Sequence, residues 1–84
     1  MKVEHRLFTH GICPIDGRID YYEIVVEASK LVKVEDIETA VSYHRGTIQT
    51  QESMCQALFA EISSAKWTLI GRHGTQTDTQ VTCG

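Results

Sequence analysis

Long apolar segments, prolines and paired cysteines are scarce in this chain of 84 residues, and each shortage excludes a class of protein. No apolar run approaches the ~18 residues that a membrane span needs, and none is long enough for the core of a secretory leader, so we expect mature sequence and no membrane partner. Three cysteines are an odd number, which argues against a disulfide-stapled mini-protein and favours free thiols in the cytoplasm. One proline and six scattered glycines leave no linker or repeat, so one domain over residues 1–84 is predicted.

Charge of one sign is also lacking. Eight Lys and Arg residues stand against eleven Asp and Glu residues, and the net charge of -3 argues against broad binding to phosphate backbones, which needs a basic face. Hydrophobic residues make up 42% of the chain, so a disordered protein is not expected. A domain of this length buries only a little over ~60% of its unfolded surface, and self-association would therefore add stability.

Alternating polarity predicts strands at both ends of the chain, and helical spacing predicts two helices between them. Gly11 is expected to end the first strand, Gly46 to stop the first helix and Thr50 to cap the second. The predicted elements are strands over residues 3–10 and 19–28, helices over 34–44 and 51–62, and strands over 66–71 and 75–83, with turns at 14–17 and 72–74.

This order of elements predicts an α+β fold in which a four-stranded antiparallel sheet carries both helices on one face, ββααββ. The strand over residues 19–28 is apolar on both faces, with Tyr22 and Ile24 on one and Tyr21 and Val25 on the other. A second subunit is therefore expected on the face that the helices leave open. The last strand is mostly Thr and Gln, and it suits an edge or a subunit contact.

Cys13 is the first candidate for chemistry, because it lies in a loop beside a turn and not on an apolar stripe. Asp20 follows seven residues later, and a hairpin can fold its carboxylate back towards the thiol to pair a nucleophile with a proton donor. An inert loop cysteine and a solvated turn aspartate are the alternatives. Cys55 lies on the apolar stripe of the second helix and is predicted to be a buried structural thiol, and Cys83 is predicted to be a spectator at a frayed terminus.

Carboxylates begin both predicted helices. Glu52 either interacts with the helix dipole or accepts two N–H bonds from a guanine-like base, and Glu35 has the same two interpretations. His10 and Cys13 are spaced as metal ligands can be, but the second half of a structural zinc site is missing, so no metal is predicted. His73 is expected to be a turn residue.

Residues 12–24, ICPIDGRIDYYEI, resemble the cysteine-proline loop of the 7-cyano-7-deazaguanine reductases. These enzymes are the nitrile reductases of the queuosine pathway, and their short relatives make archaeosine by forming an amidine. The family's Cys-Pro pair, and its Asp seven positions after the Cys, are matched by Cys13, Pro14 and Asp20.

The resemblance continues along the chain. Residues 42–46, SYHRG, are similar to the family segment that precedes its substrate glutamate, and Glu52 falls where that glutamate is expected. The resemblance implies the tunnelling fold, in which ββααββ units join into a barrel, so a homo-oligomer, a pentamer or decamer, is expected, with catalytic sites between subunits.

Three departures separate the chain from the reductases. Their NADPH-holding segment is replaced by residues 35–39, EDIET, which keep Glu35 but add carboxylates that would repel a dinucleotide phosphate. Gln51 stands directly before Glu52, where the family usually has His, which bears on the hydrogen bonding around the base. The chain is also shorter than the reductases. The replaced segment and the short chain both favour the amidine-forming relatives.

The resemblance therefore implies a cytoplasmic amidinotransferase of the archaeosine synthase type. Cys13 would attack the nitrile carbon and Asp20 would protonate the nitrile nitrogen, and ammonia would then displace the thiol from the thioimide. Glu52, with Glu35 and Gln51, would bind the base. No cofactor is expected, because no electrons move. The nitrile is expected on 7-cyano-7-deazaguanine, either free or in nucleic acid, with tRNA as the first candidate. An NADPH-dependent reductase and a non-catalytic deazaguanine-binding module are the alternatives.

Overall fold

Two β-hairpins enclose a pair of helices in the computed structural model, which describes all 84 residues. The elements are β1 (Val3–Ile12), β2 (Ile19–Ala28), α1 (Val34–His44), α2 (Gln51–Glu61), β3 (Lys66–His73) and β4 (Thr77–Cys83). The strands form one antiparallel sheet in the order β1-β2-β3-β4, and the helices lie on one of its faces. The predicted α+β fold and its order of elements are confirmed.

The core lies between the helices and the β2 face that carries Tyr22, Ile24 and Val26. Ile37 of α1 and Leu58 of α2 pack onto this face, and both are at most 2% exposed. Each large apolar side chain buried in this way contributes about 1.5–3 kcal/mol to folding. The alternation predicted for β2 is therefore the alternation that separates the core from the open face.

The helix ends follow from local chemistry. The Thr50 hydroxyl accepts the Ser53 N–H at 3.1 Å, so the predicted cap of α2 is confirmed. Gly46 has a φ of 72°, which favours glycine, and it follows α1 as predicted. Neither helix is long and apolar enough to cross a membrane.

Two predicted strand boundaries are wrong. Gly11 does not end β1 but lies inside it, because the pairing with β2 continues through Asp20 and Ile19; a Cβ at Gly11 would lie at a close 3.1 Å from Met54 Cε. The last turn lies at residues 74–76 rather than 72–74, because β3 continues until His73 pairs with Thr77. A turn at Gly74, whose φ is 73°, allows this longer hairpin.

The opposite face of the sheet is open and mixed in character. Val25 and Thr68 are buried at its centre by their neighbours, whereas Phe8 and Tyr21 are 68% and 71% exposed. β1 and β4 are the two edge strands, as predicted for the last strand. Assembly through this face or through these edges stays a prediction.

Candidate active site

The segment between the two helices brings α2 to the end of β1. The Ile12 N–H donates to the Thr47 carbonyl at 3.0 Å, and the Gln49 N–H donates to the Ile12 carbonyl at 3.2 Å. Ile12 and Ile48 thereby form a parallel bridge beyond the edge of the sheet. The first turn of α2 consequently begins next to the loop that carries Cys13.

The loop between β1 and β2 is a tight turn that holds Cys13. The Cys13 N–H donates to the Arg18 carbonyl at 2.8 Å, and the Gly17 N–H donates to the Cys13 carbonyl at 2.9 Å. Gly17 has a φ of 72°, which favours glycine. Cys13 is half-buried.

Asp16 is a second carboxylate beside this thiol, and sequence reasoning did not single it out. It is exposed, and its Oδ1 accepts the Arg18 N–H at 3.0 Å. This backbone bond, and then the Cys13 thiol, hold the pKa of Asp16 below its usual value. Asp16 is therefore an anion that stabilises the turn.

Cys13, Asp20 and Glu52 lie near the phenol of Tyr22. Burial raises the pKa of Tyr22 to about 12, and the negative charges of Asp20, Cys13 and Glu52 add to that increase in this order. Asp20 lies on the same face of β2 as Tyr22, two residues earlier, and the parallel bridge brings Glu52 from the other side. Three of the five predicted site residues thus lie close together within one protomer.

Glycines on both neighbouring strands make room for the Tyr22 ring. A Cβ at Gly71 would lie 2.7 Å from Tyr22 Cδ1, and a Cβ at Gly11 would lie 3.5 Å from Tyr22 Cε2. The side chain is 1% exposed, yet its hydroxyl has no hydrogen-bond partner in the chain. The ring therefore forms the floor of the candidate site.

Gln51 is committed to contacts within the chain. Its Nε2 donates to the carbonyls of Leu69 and Thr79, both at 2.8 Å, and it is 2% exposed. Because the amide nitrogen faces these two acceptors, Oε1 accepts from His73 Nε2 at 2.8 Å. A direct contact between Gln51 and a base is therefore not available in this arrangement; Gln51 instead ties the start of α2 to β3 and β4 and so positions Glu52.

His73 is not the turn residue that we expected. It ends β3, on the same face as Gly71, and its Nε2 donates to Gln51 Oε1. An imidazole therefore lies beside Gln51. It belongs to His73 of β3 and not to the position directly before Glu52. Only the register of the last hairpin reveals this, because residue 73 is far from residue 51 in the sequence.

Glu35 is not brought to Cys13. It is exposed in the first turn of α1, beside a shallow depression of about 220 Å³ that Val3 and His5 also line. His5 and Cys13 are eight residues apart along one extended strand, a separation of roughly 26 Å. Within one protomer, Glu35 and Cys13 therefore lie at opposite ends of the sheet.

The other two cysteines belong to the core. Cys55 is 0% exposed, its Sγ lies 3.5 Å from the Trp67 carbonyl, and burial followed by the neighbouring Cys83 raises its pKa to about 12. The prediction of a buried structural thiol is confirmed. Cys83 is not frayed, since it pairs with Trp67 at the end of β4 and packs against the core.

No enclosed pocket lies at Cys13 in the protomer. The largest surface depression, about 680 Å³, follows the solvent side of α1 along Glu35, Thr39 and Tyr43, and none of the depressions is lined by Cys13, Asp20 or Glu52. No group of three or more His, Cys, Asp or Glu side chains is arranged to hold a metal ion. The site is an open ledge at the end of the sheet.

Comparison with known proteins identifies the fold. No protein-family model matches the chain, and no curated protein sequence matches it. Among solved structures, the chain is similar to the crystal structure of the archaeosine synthase QueF-Like in the apo form, with a TM-score of 0.85. The alignment covers 98% of this chain and 90% of that chain at 19% identity. The chain has the QueF-like tunnelling fold. At this level of identity the similarity concerns the fold.

Proposed function

We propose that the chain is an amidine-forming enzyme that acts on the nitrile of 7-cyano-7-deazaguanine. The observation that carries the proposal is that Cys13, Asp20 and Glu52 lie near the buried Tyr22 ring. A nucleophile, a proton carrier and a base-binding carboxylate are the three groups that such a reaction requires. The similarity in fold to an archaeosine synthase supports the same reading.

In the first half of the reaction, Cys13 becomes bonded to the nitrile carbon. The thiol gives its proton to the Asp20 carboxylate, the sulfur attacks the carbon, and Asp20 passes the proton to the nitrile nitrogen. The product is a covalent thioimide, and Asp20 ends the step as a carboxylate again. Cys13 is half-buried at the rim of the ledge.

In the second half, ammonia releases the enzyme. Its nitrogen adds to the thioimide carbon, the C–S bond breaks, and the sulfur leaves as a thiolate that recovers the proton shed by the incoming nitrogen. Carbon keeps its oxidation state throughout, so NADPH is neither needed nor consumed. The exposed carboxylates of Glu35, Asp36 and Glu38 support this reading, since they would repel a dinucleotide phosphate.

Glu52 is the group that recognises the base. Its carboxylate is exposed in the first turn of α2, and its two oxygens accept from the ring N–H and the amino group of a guanine-like ring. Thr50 caps this turn and Gln51 anchors it to the sheet, so the carboxylate projects from a fixed backbone. An adenine-like ring does not offer the same pair of donors, and we expect it to be rejected.

The charges near Cys13 favour a free base over a nucleic acid. Three arginines lie at this end of the sheet, and each is already engaged: the contacts are Arg18 to Asp16 at 3.8 Å, Arg72 to Asp78 at 2.9 Å, and Arg45 to the Phe8 carbonyl at 3.1 Å. Asp20 and Glu52 add further negative charge. The protomer therefore offers little to attract a polyanion here.

The lysines without a carboxylate partner lie elsewhere. Lys30 and Lys33 belong to the segment before α1, and Lys66 begins β3, so all three are at the opposite end of the sheet from Cys13. We therefore place the free base ahead of the tRNA that the resemblance implied. The free thiols fit a reducing cytoplasm, where we propose that the protein acts.

The experiment that tests the proposal is product analysis. The protein is incubated with 7-cyano-7-deazaguanine and an ammonium salt, with and without NADPH, and the products are weighed by mass spectrometry. We expect the amidine in both cases and no loss of nicotinamide absorbance. An amine formed only with NADPH would replace the proposal with reduction, and binding without turnover would indicate a deazaguanine-binding module. An amidine formed only on tRNA or DNA carrying the nitrile would contradict the free-base assignment alone.

A further inference from the structure

The hydroxyl of Tyr22 is a buried polar group that has no part in the steps from nitrile to amidine. The side chain is 1% exposed, and its oxygen has no hydrogen-bond partner in the chain. Most buried hydroxyls in folded proteins are hydrogen-bonded, because an unpaired one lowers stability. A phenylalanine would fill the same space without this penalty. Packing alone therefore does not explain why residue 22 is a tyrosine.

The ring that carries the hydroxyl is fixed in place. It lies between Gly11 of β1 and Gly71 of β3, at positions where an added Cβ would approach its carbons to 3.5 Å and 2.7 Å. Met54 of α2 lies near the same position, since a Cβ added at Gly11 would be 3.1 Å from its Cε. Because the ring reaches from Gly71 towards Gly11, its hydroxyl points towards the end of the sheet that carries Cys13.

Three acidic groups from different parts of the chain lie near enough to act on this hydroxyl. Asp20 comes from the start of β2, Cys13 from the preceding loop, and Glu52 from the first turn of α2. Their charges, added to burial, raise the pKa of Tyr22 to about 12, so the phenol keeps its proton at any ordinary pH and acts as a donor. Asp20 is the nearest of them in the chain and shares the face of β2 with Tyr22.

We infer that Tyr22 is a positioning residue: its hydroxyl is unpaired in the free chain, and in the substrate complex it donates to the Asp20 carboxylate and aims that group at the nitrile nitrogen. The inference rests on the proposed function, because it concerns the same proton transfer. Asp20 takes the proton of the Cys13 thiol and returns it to nitrogen, and the phenol keeps its own proton throughout. A hydrogen bond from a rigid donor restricts the rotation of the carboxylate. The carboxylate then loses less entropy when it reaches the geometry for proton transfer.

Asp16 offers a comparison within the same loop. It too lies near the Cys13 thiol, but it is exposed and its partners are the backbone N–H and the guanidinium of Arg18 in its own turn. No buried donor stands behind it. The structure therefore distinguishes the carboxylate that is supported for proton transfer from the one that stabilises the loop.

Replacing Tyr22 with Phe tests the inference, because the change removes one oxygen and keeps the ring. We expect the rate of thioimide formation to fall roughly 10- to 150-fold, as for a lost hydrogen bond to a charged group. Affinity for 7-cyano-7-deazaguanine, measured in a Cys13→Ala background, should be unchanged. The melting temperature should stay the same or rise, since an unpaired buried hydroxyl has been removed.

Thr9→Val is the matched control. Thr9 lies opposite Tyr22 on β1, and its hydroxyl is also buried without a partner, but it is four residues from Cys13. We expect the same small effect on stability and no change in rate. A Tyr22→Phe protein that forms the thioimide at the wild-type rate would overturn the inference. So would one that loses stability, affinity and rate together, because the hydroxyl would then serve the fold. A wild-type protein that forms no adduct would contradict the proposed function itself.

Discussion

Glu52 is the residue whose two interpretations differ most, since a helix-dipole carboxylate and a base-binding carboxylate occupy the same position. Glu52→Gln keeps the shape and places a donor where two acceptors are needed. We expect affinity for the cyano base to fall by about 1–3 kcal/mol, because the amide donor and a base donor would face each other unpaired. Calorimetric titration in the Cys13→Ala background measures this. Wild-type affinity in the variant would show that Glu52 interacts with the helix dipole and does not bind the base.

Replacing Asp20 is expected to impair a different step from replacing Glu52. Asp20→Asn removes the proton carrier and leaves the base-binding group in place, so binding should be nearly intact while thioimide formation slows by about 10²-fold or more. Asp16→Asn is the matched control, because Asp16 is the other carboxylate near Cys13. Rapid mixing followed by mass spectrometry gives both rates. Equal losses in the two variants would show that Asp20 has no special part.

At the scale of single residues, the sequence allowed prediction of the reactive groups but not of what supports them. Cys13, Asp20 and Glu52 stand out because a family loop and a helix start surround them. Tyr22 and His73 carry no such signal. Tyr22 resembles any aromatic residue on a buried face, and its role depends on Gly11 and Gly71 in two other strands, which only the register of the sheet brings together.

At the scale of elements, the start of α2 depends on Gln51. Its side chain makes two hydrogen bonds to strand carbonyls and one to His73, all at 2.8 Å. Gln51→Leu should lower the free energy of unfolding by about 1–3 kcal/mol, because it leaves buried acceptors unpaired. Urea denaturation measures the change, and Gln56→Leu, at an exposed position of the same helix, is the control. Equal stability of the two variants would contradict the anchoring role.

The elements themselves were largely predictable. The bounds of β2 and α1 follow from uninterrupted periodicity, and Thr50 marks the start of α2 by its chemistry. The wrong strand boundaries lie where contacts between residues distant in the sequence determine the structure. Gly11 was predicted to end a strand, although it lies inside β1 and packs near Met54. The pairing of Ile12 with Ile48, which delivers Glu52 to the site, has no periodic signature at all.

At the scale of the whole molecule, the protomer leaves surfaces uncovered that we expect other subunits to bury. The open sheet face exposes Phe8 and Tyr21, two edge strands lack partners, and Cys13 has no enclosed pocket. Burying the exposed apolar surface would contribute about 25 cal/mol per Å², which matters for a domain this small. Light scattering should therefore give a mass several times 9.4 kDa. A stable and active monomer would contradict the predicted homo-oligomer.

Mixed oligomers test how subunits share the site. Because Cys13 and Glu52 lie together in one protomer, inactive Cys13→Ala and Glu52→Ala chains should not restore activity when mixed. Glu35 lies at the far end of the sheet, so it can serve Cys13 only from a neighbouring chain. With Glu35 binding the base as the resemblance implies, Glu35→Ala chains should be inactive alone and regain activity when mixed with Cys13→Ala chains. Recovery in the first mixture instead of the second would contradict the arrangement of the site.

The intact mass of the protein after incubation with 7-cyano-7-deazaguanine without ammonia tests the proposed reaction most directly. We predict an increase by one substrate equivalent, lost in Cys13→Ala and kept in Cys55→Ala and Cys83→Ala. Cys55 should stay unmodified because it is buried and its pKa is raised to about 12, so that little thiolate forms. An unchanged mass, or an adduct that survives the loss of Cys13, would contradict the proposed reaction.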